Sequence, residues 1–189
     1  MKRLFIAIKP DDETRNAINN FQLNLKNELP YRGIRWVKPE LMHLTLLFMG
    51  DVEESLIPGI KDSLKDAADE TRLYGLLFSG TGFFGRPEAL RTIWIGSKDQ
   101  GETQKLYRAI YKSLQGLIRT NNKPLSPHLT LARISDYVQK EERTNISEKM
   151  RAYKETSFGT TNVNKFELIE STLTPAGPIY KTMEYFFLR

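Results

Sequence analysis

The tetrapeptide HLTL occurs twice in this sequence, and its two copies hold the only histidines of the chain, His43 and His128. In a β-strand, the side chains of residues i and i+2 point to the same face. Each copy therefore pairs an imidazole with a hydroxyl, His43 with Thr45 and His128 with Thr130, while its leucines face the other side. A strand that buries the leucines presents a matched His/Thr pair on a rigid element.

Two such pairs are suited to acid–base chemistry at phosphorus. The ordinary pKa of histidine is about 6.5, so one neutral and one protonated imidazole coexist near neutral pH. In-line displacement at a phosphate needs a base on the attacking oxygen and an acid on the leaving oxygen, on opposite sides of the phosphorus. The threonine hydroxyls would donate hydrogen bonds to the non-bridging oxygens, where negative charge grows in the transition state.

Other interpretations of the two motifs compete with this one. A lone histidine in a strand is most often an ordinary surface or hydrogen-bonded residue, and the matching pair is what favours a site. A metal ion held by two histidines needs a third ligand, and neither motif contains Asp or Glu. Nucleophilic catalysis is disfavoured, because the chain has no cysteine, no G-x-S-x-G pattern and no Asp spaced to orient either histidine.

The periodicity of apolar residues predicts the elements that position these motifs. The predicted strands are Arg3–Ile8, Ile34–Val37, His43–Met49, Leu73–Ser79, Thr92–Gly96, His128–Ile134, Phe166–Leu173 and Tyr180–Leu188. The predicted helices run from Asp12 up to Pro30, from Glu54 to about Thr71 and from Glu102 to Ile118. A loop is expected at Gly80–Glu88, and Gln139–Lys154 is either a polar helix or a mobile excursion.

The neighbourhoods of the two motifs are alike. Each has an amphipathic helix, then a proline, then HLTL, then the end of a strand. This order indicates a weak internal duplication into two α+β halves. Symmetric placement in two related halves would bring both imidazoles into one cleft between them.

Composition narrows the class of protein. The 189 residues are 40% hydrophobic and 27% charged, which is typical of a globular chain, and the net charge is +5. Such a charge favours an anionic partner such as nucleic acid, although a solvated basic surface explains it equally well. Cysteine is absent, the N-terminal apolar run is too short for a signal peptide, and no run approaches the roughly 18 to 20 apolar residues of a membrane span. We expect a soluble, cytoplasmic protein.

Beyond the motifs themselves, their flanks resemble a known family. Paired H-x-T-x motifs are typical of the two-histidine phosphoesterases, and the chain is similar to the branch of RNA 2′,3′-cyclic phosphodiesterases, also called 2′-5′ RNA ligases. The similarity runs nearly end to end, through RLFIAI, RWVKPELMHLTLLFMGDV, IWIG, SPHLTLARI, FELIEST and GPIY. It implies that His43 is the proton donor, that His128 is the proton acceptor, and that Thr45 and Thr130 hold the phosphate.

The resemblance assigns two further residues to substrate binding. Arg133 matches an arginine just past the second motif that contacts the phosphate or the terminal nucleotide. Phe48 matches an aromatic residue beside the first motif, for which base stacking is the implied role. Strand alternation alone places Phe48 on the face opposite His43 unless the strand bends, so a core position is the alternative.

The family also implies a fold and a reaction. The fold is α+β, a single bilobal domain over residues 1–189 with pseudo-two-fold symmetry, in which two antiparallel sheets flank a central groove and the helices lie outside. The reaction opens an RNA 2′,3′-cyclic phosphate to a 2′-phosphate without metal or cofactor. The same site would join a 5′-hydroxyl RNA end through a 2′-5′ linkage without ATP. The expected partner is RNA with a 2′,3′-cyclic phosphate end, tRNA-derived ends included, with no membrane partner, and the expected state is a monomer.

Two alternatives to this function remain open from the sequence. One is a related two-histidine phosphodiesterase that acts on 2′-5′ oligonucleotides or on a small cyclic phosphate such as one derived from ADP-ribose. The other is an RNA-end-binding protein without catalysis. The motifs do not separate these alternatives, because they engage only the phosphate.

Several other side chains are weaker candidates for binding. Together with Arg133, four cations are candidates to line a groove for an RNA backbone, although a solvated surface position is favoured for each alone: Arg35, Lys38, Arg86 and Arg91. Tyr180 is assigned to the turn into the last strand in preference to a ligand role. The acidic cluster Asp11–Glu13 is assigned to helix capping in preference to a metal site.

Overall fold

The computed structural model of the chain describes residues 1–118, 124–175 and 177–189. Within those residues the chain folds into nine strands and four α-helices. The strands are β1 Lys2–Ile8, β2 Ile34–Trp36, β3 Leu44–Val52, β4 Tyr74–Phe84, β5 Thr92–Lys98, β6 His128–Ile134, β7 Ser157–Val163, β8 Lys165–Thr174 and β9 Gly177–Phe187. The helices are α1 Asp12–Glu28, α2 Ile57–Asp69, α3 Glu102–Ser113 and α4 Lys140–Ala152.

All strand pairings are antiparallel, and the strands lie in the order β7-β4-β5-β6-β3-β1-β8-β9, with β2 added beside β6. The strand order divides into two equivalent halves. One half contains β3, β1, β8 and β9, and the other contains β6, β5, β4 and β7. These halves meet through a single register pair, Leu44 with Leu129. The predicted α+β class is confirmed, and the two predicted sheets are joined at this seam into one curled sheet.

The two faces of the sheet are unequal. One face packs against the helices and buries the main core, which contains Leu44, Leu129 and Phe166. Complete burial of a Leu, Ile or Phe side chain contributes about 1.5–3 kcal/mol, so this face supplies most of the stability of the fold. The opposite face carries only a small buried cluster, Phe5 and Ala7 with Ile169. We call this second face the groove face.

The predicted loop Gly80–Glu88 is wrong over its first half, because β4 continues through it to Phe84. Gly80, with φ +72°, lies where the register between β4 and β5 shifts, so it marks a bulge within the strand. Gly82 provides space for its cross-strand partner, since a Cβ there would lie 2.4 Å from the indole of Trp94. Both glycines therefore belong to a strand, where the sequence pattern predicts a loop.

The alternative of a mobile excursion for Gln139–Lys154 is wrong, because α4 packs on the fold through a buried arginine. Arg143 donates hydrogen bonds to the carbonyls of Val138 at 2.9 Å, Ser135 at 2.7 Å and Leu90. The helix therefore ties the end of β6 to the start of β5. Strand β7 was not predicted at all, since its sequence SFGTTNV is largely polar and it pairs only along one edge, with β4.

The capping role predicted for the acidic cluster is confirmed at its first residue. Asp11 is the N-cap of α1, and its carboxylate accepts a hydrogen bond from the backbone N–H of Thr14 at 2.9 Å. Within the described residues, no helix is long and apolar enough to cross a membrane.

Candidate active site

The two motifs meet at the seam between the halves. His43 lies one residue before β3, and His128 is the first residue of β6. In an antiparallel pair, residues on either side of a matched position face each other. The pairing of Leu44 with Leu129 therefore sets His43 beside Thr130 and Thr45 beside His128. The arrangement has two equivalent His/Thr pairs on the groove face, with the leucines buried in the core.

Each imidazole is held by the same hydrogen bond. Nδ1 of His43 lies 2.7 Å from the carbonyl oxygen of Leu41, and Nδ1 of His128 lies 2.7 Å from that of Ser126. A carbonyl oxygen only accepts, so Nδ1 carries a proton in both rings. The second nitrogen, Nε2, is left to accept a proton when the ring is neutral and to donate one when it is charged.

Aromatic side chains orient the two rings further. The ring centroid of His43 lies 5.0 Å from that of Phe5 and 5.4 Å from that of Tyr180. The ring centroid of His128 lies 4.8 Å from that of Phe84 and 6.4 Å from that of Trp94. Apart from Tyr180, which was placed in a turn, none of these aromatics was predicted for the site. The signal for Trp94 was its place on β5, where it pairs with Thr130.

The environment of His43 opposes its charged form. Burial is the main cause that lowers the pKa of His43 below its ordinary value, and the nearby charges of Lys9, Arg133 and His128 lower it further. The hydrogen bond to the carbonyl of Leu41 acts in the other direction but does not offset them. His43 is therefore neutral at pH 7 when no anion is bound.

A bulge in β3 brings Phe48 to the groove face. In the pairing of β3 with β1 the register skips Leu46, so that Thr45 and Phe48 lie opposite Ala7 and Phe5. Ala7 and Phe5 are two residues apart on one face, and their cross-strand partners share that face. Phe48 is 51% exposed, so the core position considered for it is wrong.

The second half has an equivalent bulge, which places a different side chain on the groove face. In the pairing of β6 with β5 the register skips Leu131, so that Thr130 and Arg133 lie opposite Trp94 and Thr92. Phe48 and Arg133 thus occupy equivalent places, each three residues past a motif threonine. The pseudo-symmetric groove carries an aromatic ring on one side and a guanidinium on the other.

Within the described residues, the side chains expected to contact a phosphate have no side-chain hydrogen-bond or ion-pair partner. Among the described residues, neither Thr45 nor Thr130 hydrogen-bonds another side chain through its hydroxyl, and Arg133 has no carboxylate within ion-pair distance. Arg35 lies opposite Arg133 in the pairing of β2 with β6, so these two cations are brought together. Arg91 instead pairs with Asp136 at 3.2 Å. Lys38 and Arg86 are exposed and show no such partner in the part described.

In the described part of the chain, no group of three or more His, Asp or Glu side chains is close enough to hold a metal ion. Among the residues that the structure describes, neither His43 nor His128 forms an ion pair with a carboxylate, and Nδ1 of each ring contacts a backbone carbonyl. Metal independence stays a prediction, which chelation experiments test.

Comparison with known proteins supports the duplication and the predicted family. The sequence model of the LigT-like phosphoesterases matches the chain twice in tandem, over residues 8–94 and 95–180. An RNA 2′,3′-cyclic phosphodiesterase of Archaeoglobus fulgidus is 34% identical over 184 residues, covering 97% of this chain and 99% of that protein. One from Aquifex aeolicus is 32% identical over 179 residues, covering 93% of both. A crystal structure of a protein from Thermus thermophilus is 28% identical, with a TM-score of 0.82 over 99% of this chain and 98% of that one.

Proposed function

The chain belongs to the LigT-like phosphoesterase family, and on that premise we propose that its two histidines open the 2′,3′-cyclic phosphate of an RNA end to a 2′-phosphate. Its curated relatives are RNA 2′,3′-cyclic phosphodiesterases, and the chain is an enzyme of this class. The observation that supports the mechanism is the equivalence of the two imidazoles. Both are fixed through Nδ1, and both leave Nε2 for the substrate.

In the proposed reaction, a water molecule attacks phosphorus while Nε2 of His128 takes its proton. The bond between phosphorus and the 3′-oxygen breaks, and Nε2 of His43 donates a proton to that oxygen. The product has a 2′-phosphate and a 3′-hydroxyl, and proton exchange with solvent restores both rings. Thr45 and Thr130 donate hydrogen bonds to the non-bridging oxygens, and Arg133 offsets their charge. Phe48 stacks on the terminal base.

For His43 to act as the acid, substrate binding must shift it from the neutral to the protonated form. Burial, reinforced by the neighbouring cations, lowers the pKa of His43 in the free enzyme, but a phosphate anion beside the ring favours the imidazolium. Substrate binding is therefore coupled to uptake of a proton by His43. The phosphate charge also offsets the positive charges of Arg133 and Lys9, so these cations repel the imidazolium less.

We predict that the pH dependence shows this coupling. The value of kcat/KM reports the free enzyme, so it falls as pH rises through the lowered pKa of His43, with a limb below about 6.5. The value of kcat reports the bound enzyme, and its matching limb lies at higher pH. Replacement Lys9→Met removes one repelling cation and should shift the kcat/KM limb upward. Coincident limbs that are unmoved by Lys9→Met would contradict the coupling.

Run with the 5′-hydroxyl of a second RNA as the nucleophile, the same site would form a 2′-5′ linkage. The strained cyclic phosphate supplies the driving force, so no ATP is consumed. Ligation belongs to this proposal, as do a cytoplasmic location, a monomeric state and a single bilobal domain over residues 1–189.

A substrate panel with EDTA present tests the proposed function. The panel contains an RNA with a 2′,3′-cyclic phosphate end, a 2′-5′ oligonucleotide and a cyclic phosphate derived from ADP-ribose. We expect the cyclic RNA end to give the highest kcat/KM, unchanged by chelation. Preference for another member would reassign the substrate, and tight binding of the RNA end without turnover would make the protein a binding module.

A further inference from the structure

We propose that the groove face continues into a platform that binds the nucleotides preceding the cyclic end of the RNA. We call Lys165, Tyr185 and Phe187 the outer platform. The inference rests on the proposed function, since it takes the cyclic phosphate to lie between the two histidines. It adds a second contact region, which distinguishes an RNA chain from a mononucleotide.

The alternation of β8 and β9 places the outer platform on the same face as the histidines. Phe166 pairs with Phe186, and both are buried in the core on the helix side, with ring centroids 5.1 Å apart. Their neighbours Lys165, Tyr185 and Phe187 therefore point to the other face. This is the groove face, because Tyr185 pairs with Glu167, which pairs in turn with Ala7 of the groove cluster.

The register also aligns the platform with the first catalytic motif. Ile8 pairs with Leu44, so the next row across the sheet runs from His43 through Lys9. On β8 and β9 the corresponding row contains Lys165 and Phe187, which pair with each other. An RNA chain that leaves the histidines in the direction of Lys9, away from Phe5 and Tyr180, would meet the outer platform after crossing β1 and β8.

The side chains of the platform are arranged to engage a ligand. Nζ of Lys165 lies 4.5 Å from the ring centroid of Tyr185 and 5.8 Å from that of Phe187. Tyr185 is 48% exposed and Phe187 is 64% exposed. Within the described chain, Lys165 has no carboxylate within 4 Å, and its ammonium group instead makes cation–π contacts with the two rings. Exposed aromatic rings beside an unpaired cation are the combination that binds single-stranded nucleic acid.

The charges around the platform favour an RNA strand over a protein partner. The buried carboxylate of Glu167 accepts from Lys9 at 2.9 Å and from Thr182 at 2.7 Å, so it is compensated before a phosphate arrives. A cleft of about 650 Å³ opens beside Lys165, and its lining also includes Asp11–Glu13 and Arg15, which pairs with Asp12 at 2.6 Å. The charge of Lys165, which has no carboxylate partner among the described residues, therefore stays available to a phosphate backbone. Continuity with the catalytic groove is the second argument for RNA.

The experiment compares substrates of increasing length. The value of kcat/KM is measured for a 2′,3′-cyclic mononucleotide and for RNAs of two, four and eight nucleotides with the same cyclic end. In the native protein we expect kcat/KM to rise with length. In Tyr185→Ala and Phe187→Ala the gain should fall by about 5- to 100-fold, the range for loss of one stacked base, and Lys165→Met should also lower it, while all three variants hydrolyse the mononucleotide as before.

Two controls match the tyrosine and lysine variants in residue type. Tyr137→Ala changes a tyrosine that is 82% exposed in the connection between β6 and α4, and Lys65→Met changes a lysine on α2. Neither should alter the length dependence. Direct binding of a fluorescent eight-nucleotide RNA with a 2′-phosphate end gives a readout that does not depend on turnover, and the three platform variants should bind it more weakly.

The outcomes separate the platform from the proposed function. Equal length dependence and equal RNA binding in native protein and platform variants would overturn the platform, whatever the mononucleotide shows. Failure of the native protein to hydrolyse any cyclic end would overturn the proposed function, while the binding comparison still decides the platform. If light scattering shows a dimer that Phe187→Ala dissociates, with RNA binding unchanged, the platform is an interface between two copies and the proposal is wrong.

Discussion

Replacement of either histidine by alanine is expected to reduce kcat by about 10²- to 10⁴-fold, the contribution typical of one general acid or base. His43→Ala removes the proton donor to the 3′-oxygen, and His128→Ala removes the acceptor of the proton from water. Because the two rings act in one concerted displacement, the double variant should be little worse than the worse single one. Rates are measured with a mononucleotide 2′,3′-cyclic phosphate, which avoids any contribution of the rest of the RNA.

The variants His43→Asn and His128→Asn separate chemistry from packing. The amide N–H of asparagine can donate to the carbonyl of Leu41 or Ser126 in place of Nδ1, but asparagine has no titratable group to serve as Nε2. We expect both variants to unfold at temperatures close to that of the native protein and to be as inactive as the alanine variants. An asparagine variant that retained more than a tenth of native kcat would exclude that histidine from proton transfer.

The threonines should show the next largest effect. Thr45→Val and Thr130→Val keep the shape of the side chain and remove the hydroxyl, and each is expected to lower kcat by about 10²-fold, as for loss of one donor to a developing oxyanion. The value of KM should change less than kcat, because the hydrogen bonds strengthen as charge grows on the non-bridging oxygens. Steady-state kinetics on the mononucleotide measures both.

Serine provides the matched control for this prediction. Thr45→Ser and Thr130→Ser keep the hydroxyl and should retain most of the native kcat. The two threonines lie at equivalent positions of the two halves, so their valine variants should be affected to a similar degree. Valine variants as active as the serine variants would show that the hydroxyls do not contact the phosphate in the transition state.

The sequence predicted the placement of the two His/Thr pairs because the HLTL signal is local. Strand alternation over four residues was enough to put each histidine beside its threonine, and the bounds of β6, His128–Ile134, were predicted correctly. The family resemblance and the α+β class were also correct. Equivalent hydrogen bonds at both Nδ1 atoms were not predictable, since they depend on the backbone entering each strand.

The groove beyond the motifs was harder to predict, because bulges shift the alternation. Leu46 and Leu131 are each skipped in the register, and without that information Phe48 falls on the wrong face. The glycines of β4 were assigned to a loop for the same reason. Tyr180 contacts His43 across the sheet, and contacts between strands so far apart in sequence leave no periodic signal.

Departures from the pseudo-symmetry would allow the two histidines to take the different roles proposed for them in identical motifs. Both rings have the same hydrogen bond, but their surroundings differ, with Lys9 and Tyr180 near His43 and Trp94 and Phe84 near His128. The place that holds Phe48 in one half holds Arg133 in the other. In the proposed reaction, the aromatic side would bind a base and the cationic side would offset the phosphate charge.

Identification of the product formed from an RNA with a 2′,3′-cyclic phosphate end tests the central claim most directly. The RNA is incubated with the native protein in EDTA, and the position of the terminal phosphate is determined by chromatography against authentic 2′- and 3′-phosphorylated standards. A 2′-phosphate with a free 3′-hydroxyl, absent in His43→Asn and His128→Asn, is the predicted result. An unchanged cyclic end, a 3′-phosphate, or a 2′-phosphate that persists in either variant would contradict the account.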